Sequence, residues 1–306
     1  MGTDDLQEAV IVTNLRRTST TADACRRYSN LCHYGVYVSL VHPASGAKKR
    51  RPPTVRMRLP YRVVELLARL AKPSMIVGMD LQYPAFCRAN AYRAFSRELA
   101  AIDTPSGLFR AAWAIALHEH PDADVAEGEA MVENLVSTVK SRVRSTAVDA
   151  KLAHLHDVLF DLLEFRGNVE DYYSPSNSYL CDVLRTRRGL PITLTLIYRR
   201  VAQGIGLTVH GVNAPGHFLA EVEAEHGKGQ SIYVDPFFGG GLLHEDEVFQ
   251  RILQATGKEV SPTAEHLARA APRQWLGRML NNLQAVFAST GRDRDVYAMQ
   301  EMQGLL

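Results

Sequence analysis

The 306-residue sequence has few cysteines, no long hydrophobic run and almost no net charge. Its four cysteines, Cys25, Cys32, Cys87 and Cys181, form neither a CxxC pair nor a His-linked zinc spacing, and they are too few for a disulfide framework. The sequence therefore predicts no metal site, no cofactor and a cytoplasmic location. No stretch approaches the roughly 18 apolar residues that cross a bilayer, so no membrane association is expected.

Positive charge is concentrated near the start of the chain. Residues 1–79 contain 13 Lys/Arg and 5 Asp/Glu, a balance of +8, whereas the remaining 227 residues contain 22 and 28, a balance of −6. The apolar stretch Tyr34–Val41 resembles a signal peptide only loosely and lies too far into the chain, so secretion is not expected. Residues 1–79 are predicted to be a basic, poorly ordered extension. Despite its charge, nucleic acid is not the expected partner of the protein. Met75 or Met79 is an alternative start codon.

Residues 80–168 are predicted to form a helical subdomain, because apolar residues recur there with a helical period. One helix is expected to begin at Thr104, whose hydroxyl would cap it, with Pro105 in the first turn. Another is expected to begin with a capping box made by Thr146 and Asp149. Four helices in succession indicate a helical layer.

Residues 169–256 combine one apolar helix with short strands. The helix is expected to begin at Pro191 and to be buried on nearly all sides, since it carries little polar surface. The pattern then changes to the alternation typical of strands, over Leu207–Val212, His217–Val222 and Ser231–Asp235. Residues 257–306 are predicted to end the chain as a helical hairpin.

The predicted strands bring together a histidine and an aspartate. If the second hairpin closes near residues 226 and 227, His217 lies directly opposite Asp235 or diagonally beside it, on the same sheet face. An imidazole held by a carboxylate is the orienting half of a nucleophilic triad. The missing nucleophile is expected at the amino end of the buried helix, where the helix dipole favours a thiolate.

Several short motifs occur in one order and with consistent spacing across residues 86–290. They are Phe165–Asn168, Tyr173–Leu180, Val183–Leu184, Arg188–Ile192, Ile197–Tyr198, Gly211–Val212, Pro215–Leu219, and Asp235–Phe237 with Gly239–Gly240. Together these motifs resemble the SirB family of bacterial transglutaminase-like proteins. The histidine motif His217–Val222 and the Asp235–Pro236 pair are similar to the second and third catalytic elements of transglutaminase-core proteins.

The first catalytic element of that family departs from its pattern here. Transglutaminase-core proteins carry Gly-x-Cys at the start of the buried helix, and the same spacing after Gly189 places Pro191 at the position of the nucleophilic cysteine. Proline has neither a thiol nor a hydroxyl. Two other residues are alternative nucleophiles: the hydroxyl of Thr193, and the thiol of Cys181 if its segment folds back over the site.

The resemblance implies an α+β fold, in which a papain-like transglutaminase core packs its central helix on a small antiparallel sheet. It also implies a cleft whose binding residues are Asn177, Ser178, Tyr179, Arg188 and Pro191. The favoured hypothesis is a non-catalytic module that binds a protein or peptide through this cleft or through the terminal hairpin. The alternative is an amide hydrolase or acyltransferase that uses His217 and Asp235 with water or Cys181. The oligomeric state stays open.

Overall fold

A computed structural model describes residues 36–40, 55–59, 84–224 and 231–306 of the chain. The chain divides into two compact units, Met1–Ala85 and Phe86–Leu306. In the first unit, strands β1 (Val36–Leu40) and β2 (Val55–Leu59) pair antiparallel; neither strand was expected from the sequence. The remainder of the predicted basic extension, including its expected poor order, lies outside the described residues.

The second unit begins with the predicted helical layer. Its helices are α1 (Ala89–Glu98), α2 (Pro105–Ala116), α3 (Val125–Arg142) and α4 (Val148–His156), and α4 continues as a π-helical turn over Asp157–Leu162.

The two predicted caps of this layer have different outcomes. The Thr104 hydroxyl accepts a hydrogen bond from the backbone N–H of Gly107 at 3.0 Å, which confirms the predicted start of α2. The predicted capping box at Thr146 and Asp149 is wrong. The N-cap of α4 is Ala147, and it is the Ser145 hydroxyl that accepts from the Ala147 N–H, one residue earlier than expected.

The central helix follows three short elements. These are strand β3 (Arg166–Gly167), helix α5 (Leu180–Thr186) and strand β4 (Arg188–Gly189), after which helix α6 runs over Pro191–Gly204. Strands β3 and β4 pair in parallel, with Gly167 opposite Gly189. Ten of the fourteen residues of α6 are buried, as its apolar sequence predicted.

A four-stranded antiparallel sheet packs against α6 in the strand order of the sequence. Its strands are β5 (Val209–Val212), β6 (Leu219–Val222), β7 (Ile232–Asp235) and β8 (Gly241–Leu243). The first three confirm the predicted strands, although β6 is buried along its whole length rather than at alternate residues. Strand β8 was missed, because only three residues separate the glycine-rich turn from the next helix and they carry no strand signal of their own.

The chain ends with helices α7 (Glu245–Thr256), α8 (Pro272–Ser289) and α9 (Asp293–Gln303). The last two form the expected hairpin, and the apolar stripe of α8 is buried. Phe165 and Phe218, which mark two of the family motifs, are buried as well. The described residues thus form a mixed helical and sheet fold with a small antiparallel sheet. No helix among them is long and apolar enough to span a membrane.

A half-buried histidine at the edge of this core makes stability depend on pH. Burial lowers the pKa of His156 to about 4, from 6.5, and its ring lies 3.0 Å from the Tyr198 hydroxyl. Between pH 6.5 and 4 the unfolded chain binds a proton that the folded chain does not, so the free energy of unfolding decreases as pH falls through this window. The two pKa values correspond to a loss of roughly 3 kcal/mol.

We expect His156→Gln to flatten this decrease. Urea unfolding at intervals between pH 7 and 4 measures it, and the exposed His244→Gln variant serves as the matched control that keeps the wild-type slope. Equal slopes in wild type and His156→Gln would contradict the assignment.

Candidate functional site

His217 stands at the entrance of strand β6, directly after a tight turn. The turn depends on Gly216, whose φ of +70° lies in the left-handed region that favours glycine. The His217 backbone N–H donates to the Ala214 carbonyl at 3.2 Å, which closes the turn. The turn therefore fixes the backbone of His217 just before strand β6 begins.

Asp235 is the last residue of strand β7 and lies diagonally across from His217. The register pairs Ala220 with Val234, one of the two alternatives expected from the sequence. His217 Nε2 lies 3.0 Å from Asp235 Oδ2, and both side chains are buried. The structure thus brings together the two residues that the sequence predicted to meet.

The Asp235 carboxylate has further partners. Its Oδ1 accepts hydrogen bonds from the backbone N–H groups of Phe237 at 3.1 Å and Phe238 at 3.4 Å. Arg251 Nε from helix α7 lies 3.5 Å from Oδ2. The sequence did not reveal Arg251, because it follows Asp235 by one strand and a helical turn and belongs to no motif. These contacts supply a fully buried carboxylate with hydrogen-bond and ionic partners.

Two phenylalanines flank the imidazole. The ring centroids of Phe237 and Phe238 each lie 6.1 Å from that of His217, and the Arg251 guanidinium carbon lies 4.3 Å from the Phe238 ring centroid. Phe237 in turn packs on Gly167 of β3, where a Cβ atom would lie 2.3 Å from the ring. Only glycine fits at this position with the ring in place.

An open groove with a volume of about 560 Å³ begins at these phenylalanines. Its apolar wall is aromatic apart from one valine, and it carries acidic and basic groups at the rim. The apolar residues are Phe160, Phe165, Val169, Phe237 and Phe238, and the charged ones are Asp161, Glu164 and Arg166. Val169 is 71% exposed and Phe238 50%, which leaves two large apolar side chains open to a partner.

The side chains at the start of α6 are buried or hydrogen-bonded to neighbouring segments. Pro191 is its first residue and is buried. The Thr193 hydroxyl donates to the Asn177 carbonyl at 2.9 Å, and the Thr195 hydroxyl lies 3.5 Å from the Phe218 carbonyl. Both hydroxyls therefore tie the helix to neighbouring segments.

Three of the other predicted binding residues, Asn177, Ser178 and Tyr179, are buried. Asn177 is buried; its amide nitrogen donates to the carbonyls of Asp171 and Tyr172, and its Oδ1 accepts from Asn168. Such contacts fix the loop ahead of α5. Ser178 and Tyr179 are also buried, and burial, with Glu119 nearby, raises the pKa of the Tyr179 phenol.

Arg188 lies half-buried in strand β4, where Nη1 donates to the Glu164 carbonyl at 2.6 Å. Glu164 lines the groove, so Arg188, one of the predicted binding residues, directly contacts the groove wall.

The glutamate of the histidine motif points elsewhere. Glu221 accepts two hydrogen bonds from the Arg269 guanidinium, at 2.7 and 2.8 Å. These bonds lower the pKa of Glu221. A bidentate pair of this kind braces strand β6 against the segment before α8.

Cys181 lies in a different cluster. Its thiol sulfur, His120 and Asp182 place one ligand atom each within 4.8 Å of one another. Burial raises the pKa of the Cys181 thiol to about 11, so the neutral thiol prevails near pH 7. The Cys181 sulfur thus lies beside His120 and Asp182, whereas the His217 ring is paired with Asp235.

Residues 126–281, slightly more than half of the chain, match the model of the transglutaminase-like superfamily. The chain belongs to this superfamily. Within it, a UPF0162 protein of Xylella fastidiosa is 36% identical over 189 residues, which cover 60% of this chain and 66% of that protein. A UPF0162 protein of Pseudomonas aeruginosa is 28% identical over 191 residues, 61% of this chain and 67% of that protein.

A mammalian protein is also similar to this transglutaminase-like chain. F-box only protein 21 of Mus musculus is 30% identical over 188 residues, which cover 60% of this chain but 27% of that protein. The aligned part thus spans just under two thirds of the Xylella relative and about a quarter of the mouse one. No solved structure matches the chain.

The buried carboxylate dominates the energetics of the site. We expect Asp235→Ala to lower the free energy of unfolding by about 3 kcal/mol, because it leaves two backbone N–H groups and a buried histidine without their acceptor. Urea unfolding measures the loss. Glu164→Ala, at an exposed acid of the groove, is the matched control and should cost less than about 1 kcal/mol. Equal losses in the two variants would refute a special role for Asp235.

Proposed function

We propose that this protein is a non-catalytic, SirB-type member of the transglutaminase-like superfamily that binds an extended segment of another protein in the groove beside His217. The proposal includes a papain-like arrangement of the central helix and sheet. One observation carries it: a proline occupies the first position of α6, where the family motif calls for the attacking cysteine, while the histidine and aspartate persist.

Within the part of the chain that the structure describes, no hydroxyl or thiol contacts the His217 ring, which supports the non-catalytic part. A triad histidine activates a hydroxyl or thiol by taking its proton, and needs that group within hydrogen-bond distance. The hydroxyls of Thr193 and Thr195 are directed at backbone carbonyls, and the Cys181 thiol lies beside His120. In this proposal the His217–Asp235 pair is a buried polar brace that positions Phe237 and Phe238.

The character of the groove supports the binding part. Apolar pockets between aromatic rings, with charges of both signs at the rim, fit the alternating side chains and polar backbone of a peptide. Tyr173, which precedes Asn177 in the same loop, is 71% exposed and adds to the apolar surface. Aromatic residues are the side chains that most often dominate binding energy at protein interfaces.

The proposal predicts no hydrolysis at His217. With p-nitrophenyl acetate and a glutamine-containing peptide amide as probes, wild type and His217→Ala should release product at the same background rate. A wild-type rate that His217→Ala abolishes would instead establish the alternative, an amide hydrolase or acyltransferase. Loss of that rate in Cys181→Ser, with Cys87→Ser unaffected, would identify the thiol as the nucleophile; retention in both would leave water.

The groove predicts a localised binding surface. Peptides selected from a phage-displayed random library on the wild-type chain should bind Val169→Asp at least about tenfold more weakly, a loss of about 1.4 kcal/mol, because a charge then lies in the apolar wall. Leu253→Asp is the matched control, since Leu253 is 45% exposed but does not line the groove. Peptide affinity would be measured by fluorescence anisotropy. Failure to enrich any peptide, or equal affinity for Val169→Asp and wild type, would contradict the proposal.

A further inference from the structure

Three side chains of different chemistry converge at the end of helix α2, away from the groove. His120 Nε2 lies 2.9 Å from Asp182 Oδ2, and the Cys181 sulfur completes a set of ligand atoms that all lie within 4.8 Å of one another. None of the three lines the groove. His120 precedes Asp182 by 62 residues, so no spacing rule applied to the sequence brings them together.

The fold fixes each of the three side chains. His120 belongs to the turn that ends α2, where its backbone N–H donates to the Ala116 carbonyl at 2.8 Å, and its ring meets Tyr179 edge to face at 5.4 Å. Cys181 and Asp182 lie in the first turn of α5, which packs on α2. Two packed helices therefore hold the donors before any ligand arrives.

We propose that His120, Cys181 and Asp182 form a binding site for a zinc-like divalent cation. A nitrogen, a thiolate sulfur and a carboxylate oxygen are the three donor types that Zn²⁺ accepts, and three protein ligands leave its fourth position to water. One thiolate and one carboxylate also balance the two charges of the ion. Thiolate and imidazole together favour zinc over magnesium or calcium, which select oxygen.

The required movement is small. Zinc bonds of 2.0 to 2.3 Å in tetrahedral geometry place ligand atoms roughly 3.5 Å apart. The nitrogen and oxygen of His120 and Asp182, now 2.9 Å apart, must therefore separate slightly, and the Cys181 sulfur must approach by at most roughly 1 Å. Rotation of the side chains about their own bonds suffices, so the two helices keep their positions.

Arg185 supplies the outer support that metal carboxylates have. Its Nη2 donates to Asp182 Oδ1 at 2.9 Å, which leaves Oδ2 for the ion, and its Nε donates to the Cys181 carbonyl at 3.3 Å. Hydrogen bonds of this kind orient ligands in known sites. Because the guanidinium is hydrogen-bonded to Oδ1, Asp182 can bind the ion through Oδ2 alone.

Binding of the ion changes where protons are held on two of the ligands, relative to the metal-free protein. The Cys181 thiol loses its proton to solvent as the sulfur–metal bond forms. His120 binds through the nitrogen that now faces Asp182, so a neutral ring must carry its single proton on Nδ1 once the ion is bound. No electron changes hands, and the net result is one ion bound and one proton released.

Cobalt titration of the metal-free full-length chain tests the site, because Co²⁺ replaces Zn²⁺ and a cobalt–thiolate bond gives a charge-transfer absorption. We expect one equivalent of Co²⁺ to produce that band, and Zn²⁺ to remove it. The band should disappear in Cys181→Ser and persist in Cys87→Ser, whose cysteine is equally buried. It should also persist in the Cys25→Ser/Cys32→Ser double variant.

Nitrogen and oxygen ligands are tested separately. His120→Gln and Asp182→Asn should each weaken Co²⁺ binding at least tenfold, and Zn²⁺ should raise the melting temperature of wild type and Cys87→Ser but not of Cys181→Ser. His120→Gln, at a partly exposed side chain, carries the test if Cys181→Ser fails to fold. A wild-type chain with no cobalt–thiolate band overturns the proposal, and so does a band unchanged in Cys181→Ser or in His120→Gln.

Discussion

A single buried carboxylate ties the site together. Asp235 has no exposed surface, yet it meets the His217 ring, the Arg251 side chain and two backbone N–H groups. Removing a charge from water costs several kcal/mol unless such partners replace its hydration. Because those partners come from the turn before β6, the turn after β7 and helix α7, their positions all depend on one side chain. The phenylalanines beside His217 and the mouth of the groove are fixed in consequence.

Much of this arrangement was readable from residue patterns. Alternation over β5, β6 and β7, together with a short hairpin, left two placements of His217 on the face of Asp235, directly opposite or diagonal, and the structure has the diagonal one. The uninterrupted apolar character of α6 predicted burial, and the terminal hairpin followed from its stripe. Signals of this kind are local and periodic, so they survive without knowledge of tertiary contacts.

The unpredicted parts depend on contacts between distant segments. Arg251 reaches Asp235 only because α7 packs beside the sheet, and nothing around Arg251 in the sequence marks it. The same holds for His120, which lies 2.9 Å from Asp182, and for its neighbour His118, which is buried against Asp295. Asn177 was identified as a cleft residue by resemblance, whereas its side chain is occupied by three contacts within its own loop.

The contact between Gly167 and Phe237 has a consequence for how this chain can diverge. Strand β3 passes so close to the phenyl ring that a single methyl group would overlap it. Any larger residue would displace the ring from its position 6.1 Å from the imidazole. The shape of the groove beside Phe237 thus depends on Gly167 having only a hydrogen atom as its side chain. A relative that carries a side chain at the position of Gly167 must place its phenyl ring, and so shape its groove, differently.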